Sequence, residues 1–134
     1  VGSSLVPTID VGQIEGGYIQ GLGWLTCEEL VSDAKGRLIT HGPSTYKIPA
    51  IGDCPEDFRV ALLERADQEH TIHGSKAVGE PPFMLALSVV AALRHAIAGF
   101  GAGEVDLAIP CTPEAILRAV ERQRQRRAIA DAAE

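Results

Sequence analysis

Cysteine is scarce in this 134-residue chain, and the three present, Cys27, Cys54 and Cys111, show no Cys-x-x-Cys spacing. An odd, scattered set fits no disulfide framework and supplies neither a zinc site nor an iron–sulfur cluster, so it points to a reducing compartment. Positive charge is also short. Twelve Lys and Arg against eighteen Asp and Glu leave a formal charge of −6, which argues against nucleic acid as a partner, because phosphates call for clustered cations. No basic-then-apolar signal region opens the chain. The uncharged run from Pro81 to Leu93 is shorter than the ~20 residues that cross a bilayer, so no membrane is expected. No Gly-rich flavin or nucleotide loop occurs. What remains is the expectation of one soluble, cytoplasmic domain with enough apolar content, 46%, to bury a core.

The present features begin with the run Gly74 to Pro82, Gly-Ser-Lys-Ala-Val-Gly-Glu-Pro-Pro, which leads straight into an apolar segment. Prolines suit the first helical positions, where the N–H would be orphaned anyway, so Glu80 falls at an N-cap. Pro81 and Pro82 offer no N–H to its side chain, which leaves the carboxylate less tied down than an ordinary cap. Gly79 lets a ligand approach the backbone. The bland alternative is a helix-start glutamate beside a turn glycine.

Upstream, Ile14, Tyr18, Ile19, Leu22, Leu25 and Leu30 recur at helical spacing and predict a helix from Asp10 to about Leu30. Gly16, Gly17, Gly21 and Gly23 each cost it ~1 kcal/mol relative to Ala, so tertiary contacts must hold it. Its bare faces would admit another backbone or a flat ligand. Gln13 lies near its start, with an amide that donates and accepts at once.

Leu30 to Thr40 reads as a hairpin turning at Asp33 to Gly36. Thr45 to Ile48 reads as a short extended run in which Tyr46 and Lys47 are structural rather than ligand-binding. Phe58, Val60, Leu62 and Leu63 form a strand-like pattern that ends in the polar stretch Glu64 to Glu69. Val105 to Ile109 is a further short strand. His70 and His73 flank a β-favouring pair, and in a strand they would point to opposite faces, so no metal is assigned to them. The segment Pro81 to Ala98 is apolar in nearly every direction, as in a helix buried on all sides. So short a chain has little material to surround it, which implies a neighbouring domain or subunit. Thr112 and Pro113 start a last helix. The fold class is therefore α+β: a Gly-rich first helix, a small antiparallel sheet region, a buried central helix and a C-terminal helix. Residues 1–121 form the folded part, and 122–134, with four arginines, a solvated helical or disordered tail.

Three runs in the same order carry a resemblance: Val11 to Gly17 (Val-Gly-Gln-Ile-Glu-Gly-Gly), Gly42 to Ala50 (Gly-Pro-Ser-Thr-Tyr-Lys-Ile-Pro-Ala) and Gly74 to Pro82. Together they resemble the active-site segments of the molybdenum hydroxylases, the xanthine dehydrogenase and aldehyde oxidase family, from about Asp10 to Val120. The serine of the second run leans towards the xanthine dehydrogenases. The resemblance implies the C-terminal portion of a molybdopterin-binding domain, cut from a larger polypeptide. It implies hydroxylation of a purine, another heterocycle or an aldehyde with oxygen from water. A carboxylate in the position of Glu80 would be the general base at the molybdenum centre, and Gln13 would contact the molybdopterin. Val78 and Gly79 would line the metal pocket by adjacency. The cofactor would be shared with upstream segments, while FAD and 2Fe-2S clusters would belong to other modules of the complete enzyme. Alone, the chain is expected to be inactive. An aldehyde-oxidising relative and a non-catalytic assembly module that keeps the fold are the alternative readings.

Overall fold

Two glycine-mediated contacts between helices set the architecture of the computed structural model, which describes residues 1–64 and 70–133. Helix α1 spans Pro7–Thr26, α2 Pro81–Leu85, α3 Leu87–Ala98 and α4 Pro113–Asp131. Pro7 opens α1 at a position where its missing N–H costs nothing, and Asp10 in the first turn complements the helix dipole while accepting from Ser4 Oγ at 2.5 Å. The five glycines of α1 do not break it. A Cβ on Gly21 would collide with the Phe83 carbonyl oxygen and lie 2.8 Å from the Ala86 Cβ; one on Gly17 would lie 3.2 Å from the Pro82 Cβ. These two bare positions allow α2 to lie against α1. The helix propensity lost is offset by that close packing.

The core is small. Leu25, Ala86, Val90, Ile97, Leu107, Cys111 and Ala119 are buried, with Tyr18, Leu93, Ile116 and Val120 packed against them. The carbonyl of Leu25 accepts from the amide of Cys111 at 2.6 Å, which ties the end of α1 to the entry of α4. Thr112 caps α4 by accepting the Ala115 amide at 3.2 Å. The helix then runs unbroken to Asp131 through the stretch expected to be a tail. Gln123 within it is buried and donates through Nε2 to the carbonyl of Glu104 at 2.9 Å. Arg122 donates to the Asp106 carbonyl at 2.8 Å, Arg126 reaches the Glu104 carbonyl, and Arg124 lies over the Phe100 ring.

The expected antiparallel sheet is not there. Among the described residues no strand occurs, and the pairing is confined to two isolated antiparallel bridges, Gly2 with Ser75 and Ser32 with Leu38. The turn at Asp33 to Gly36 lies where the sequence places it, held by Asp33 accepting the amides of Lys35 and Arg37. It closes a single bridge rather than a hairpin ladder. Residues 45–48, 58–63 and 105–109 carry strand-like patterns but adopt turn or irregular backbone, and none of them pairs in a ladder with another described segment. Over the described residues the fold is helical with long irregular connections, not α+β. Residues 65–69 of the predicted polar stretch lie outside the described residues.

The central helix departs from expectation as well. It is broken at Ala86 into α2 and α3, and of its apolar residues Met84, Leu85 and Leu87 are about half exposed. Only Pro82, Ala86, Val90 and Ile97 are buried within this chain. The apolar-all-round pattern that predicts burial thus describes surfaces that this chain alone does not cover.

Candidate functional site

The run Gly74 to Pro82 is pinned from the N-terminus. Ser3 N–H donates to the Gly74 carbonyl and Lys76 N–H to the Val1 carbonyl, both at 2.8 Å. Gly74 has φ +67°, and Ala77 has φ +57°, a left-handed conformation that costs a residue with a Cβ about 1–2 kcal/mol. The chain is thereby turned so that Val78, Gly79 and Glu80 pass alongside α1. Glu80 becomes the N-cap of α2, its carbonyl accepting the Phe83 amide at 3.0 Å, and its side chain makes no capping hydrogen bond. The two prolines explain this. The carboxylate is exposed and unspent on the helix end.

Opposite, α1 presents Gly12, Gln13, Gly16, Gly17 and Gln20. With Gly79, Glu80 and Phe83 they line a cleft of about 440 Å³. Gln13, Gly79 and Glu80, all singled out from the sequence, therefore share one cleft; Val78 is half-buried and is not part of the lining. A Cβ on Gly12 or Gly16 would meet nothing within 4 Å. Four of the five glycines of α1 thus divide into two sets: Gly17 and Gly21 admit α2, whereas Gly12 and Gly16 keep a helix face bare towards the open cleft. A flat ring could lie on that face at backbone distance, with amides at its rim and a carboxylate across from it. At the far end of the cleft the Phe83 ring stacks on Trp24, centroids 5.4 Å apart.

Two larger hollows, of about 520 and 780 Å³, contain none of Gln13, Val78, Gly79 and Glu80. The first is walled by Leu30, Leu38, Pro43, Ile48 and Tyr46, whose hydroxyl is committed to Glu28 at 2.6 Å; that bond, more than burial, pushes the Tyr46 phenol up from its ordinary value. Lys47 is paired with Asp53 at 3.1 Å. Pro49 packs so closely on Gly23 that a Cβ there could not be accommodated. The Gly42 to Ala50 run therefore fastens a loop to the end of α1, and Tyr46 and Lys47 make structural contacts. His73 sits in a one-turn 3-10 segment, Ile72–Gly74, not in a strand. Among the described residues no group of three His, Cys, Asp or Glu could hold a metal ion.

Gln20 is a cleft residue that the sequence reading missed. Its signal was available: it stands seven residues after Gln13, the step that returns a helix to the same face.

A family profile described as "Molybdopterin cofactor-binding domain" matches residues 1–55, which include all of α1. The chain is 48% identical to xanthine dehydrogenase/oxidase from Felis catus, over the whole of this chain and 11% of that protein. It is 55% identical to xanthine dehydrogenase from Dictyostelium discoideum, over 72% of this chain and 7% of that one. Among solved structures, quinoline 2-oxidoreductase from Pseudomonas putida 86 superposes with a TM-score of 0.75 at 33% identity, over 91% of this chain and 15% of that chain. The chain spans about a tenth of the length of the curated relatives it matches.

Proposed function

The chain belongs to the molybdenum hydroxylase family, and from that membership we propose that it forms one wall of the molybdenum site in a xanthine dehydrogenase-like oxidoreductase. The reaction we assign is hydroxylation of a purine, hypoxanthine or xanthine towards urate, with oxygen from water. The observation that carries this reading is that Gln13 and Glu80, on segments far apart in sequence, face one cleft over the bare surface of Gly12 and Gly16.

The residues fit the cofactor by their chemistry. A pterin presents alternating donors and acceptors, and the Gln13 amide offers both; the bare glycine face accepts a flat ring without steric cost. When bound, the molybdenum cofactor supplies Lewis acidity and takes up the electrons of the oxidation. Glu80 acts as the general base: its carboxylate, free of any capping bond, takes the proton from the oxygen that attacks the substrate carbon. Val78 and Gly79 set the carboxylate in place through the backbone turned at Ala77. The remaining cofactor contacts, the residues that grip the substrate, and the FAD and 2Fe-2S modules are assigned to other parts of the complete enzyme, in the cytoplasm. The chain by itself is therefore inactive in this reading.

The test is Glu80→Gln in the complete enzyme. The amide keeps the shape but cannot take the proton, so turnover of xanthine should fall by at least about 10²-fold while bound molybdenum and pterin stay at wild-type levels. Unchanged turnover would remove Glu80 from the chemistry and leave an assembly role for this segment.

A further inference from the structure

The side-chain amides of Gln13 and Gln20 make no hydrogen bond to another described residue; both are exposed, and both line the cleft that contains Glu80. A seven-residue step is nearly two full turns, so the two amides leave α1 on one face, about 10 Å apart along its axis. Gly16 lies between them and offers no side chain to fill the gap. That spacing is comparable to the long dimension of a fused three-ring heterocycle. The helix therefore presents a bare strip with a hydrogen-bonding amide at each end, and Phe83, held by Trp24, closes the far side.

We propose that Gln20 is a second amide contact for the same flat, fused heterocyclic cofactor that Gln13 holds, bracketing it across Gly16. The proposal rests on the cleft being the pterin site. An amide suits the position because it donates and accepts at once, so it can pair with a ring edge of mixed polarity where a charged group would leave one partner unmatched. A glutamine whose only work was helix propensity would not need to be at this register, since Lys, Glu or Arg serve equally on a solvated face. The family profile covers α1 throughout, so both amides lie within the part of the chain that matches a cofactor-binding domain.

The experiment compares Gln13→Met and Gln20→Met in the complete, loaded enzyme. Methionine keeps the length and helix propensity of glutamine but cannot form its hydrogen bonds, and unchanged helical circular dichroism confirms folding, with Gln20→Ala as a second variant. Each sample is dialysed while molybdenum by metal analysis and pterin by fluorescence after oxidative release are followed. Gln20→Met should lose both about three- to tenfold faster than wild type, the effect of one net hydrogen bond. Wild-type retention in Gln20→Met alongside rapid loss in Gln13→Met would overturn the inference and leave the cleft reading standing. Wild-type retention in both variants would overturn both. A raised KM for purine with normal retention would make Gln20 a substrate contact and also overturn the proposal.

Discussion

The indole of Trp24 lies stacked on the ring of Phe83, with centroids 5.4 Å apart and planes 28° from parallel. Trp24 is the sole tryptophan of the chain, and Phe83 is a lining residue of the cleft. The pair joins α1 to α2 at the point where the glycine seam ends, and it gives the site its own optical reporter. Phe83→Ala should destabilise the fold by about 1–2 kcal/mol, from lost burial of a half-exposed ring and lost ring pairing. Trp24 emission should shift to the red in the folded variant. Denaturant unfolding followed by emission measures both, and an unshifted spectrum would show that the stack does not hold in solution.

The two sets of glycines predict opposite outcomes for one kind of change. Gly21→Ala drives a Cβ into the Phe83 carbonyl and the Ala86 side chain, and should destabilise the fold by about 1–3 kcal/mol as overpacking does. Gly16→Ala meets nothing and gains helix propensity, so it should stabilise the chain without cofactor by up to about 1 kcal/mol. In the complete enzyme the same methyl group should weaken cofactor retention. Thermal melts and molybdenum content, measured on both variants, check the pair; equal effects on stability would contradict the division.

Asp33 accepts the Arg37 amide, the Arg37 guanidinium at 2.7 Å and the Lys35 amide, and these hold its carboxyl below the ordinary carboxylate range. A pKa lowered in the folded state stabilises the fold above the unfolded value of ~3.9, and the contribution is lost as pH falls through the folded value. Asp33→Asn should therefore melt below wild type at neutral pH, with the gap closing below about pH 4. A gap that stayed constant across an acid series would rule out the ionised turn.

Thr112 accepts the Ala115 amide at 3.2 Å and starts α4, whose Ala119 and Gln123 are buried. Thr112→Ala should lower stability by about 1 kcal/mol, and Thr112→Ser should restore most of it. Chemical denaturation of the three proteins checks this, and a full-strength Ala variant would mean the cap is idle.

The helices were legible because their signals are local. Thr112 and Pro113 mark the start of α4, and the spacing of Ile14, Tyr18, Leu22 and Leu25 outlines α1 despite its glycines. Helix α1 starts at Pro7, three residues before the Asp10 that the apolar spacing indicates, because a proline at the first position carries no periodic signal of its own. The sheet was misread for the complementary reason. A strand is a relation between two segments, and the β-branched and apolar runs at 45–48, 58–63 and 105–109 carry no information about whether a partner lies beside them. Burial of α2 and α3 failed likewise: Met84, Leu85 and Leu87 report that something covers them without saying that this chain does. Of the candidate site, the motifs single out Gln13, Gly79 and Glu80 separately, and only the fold shows that they line one cleft, from which Val78 is absent and to which Gln20 is added.

The seam between Gly17 and Pro82 has a kinetic consequence. Helix α1 and the Glu80 segment meet only after the intervening chain closes, and among its described residues the helical elements are two single 3-10 turns, Ile51–Asp53 and Ile72–Gly74. By contrast α3 and α4 are neighbours in sequence. Non-local contacts form late because closure entropy must be met before they give any return. We expect amide protons of α3 to gain protection during refolding before those of α1 near Gly17, so that the cleft is completed last.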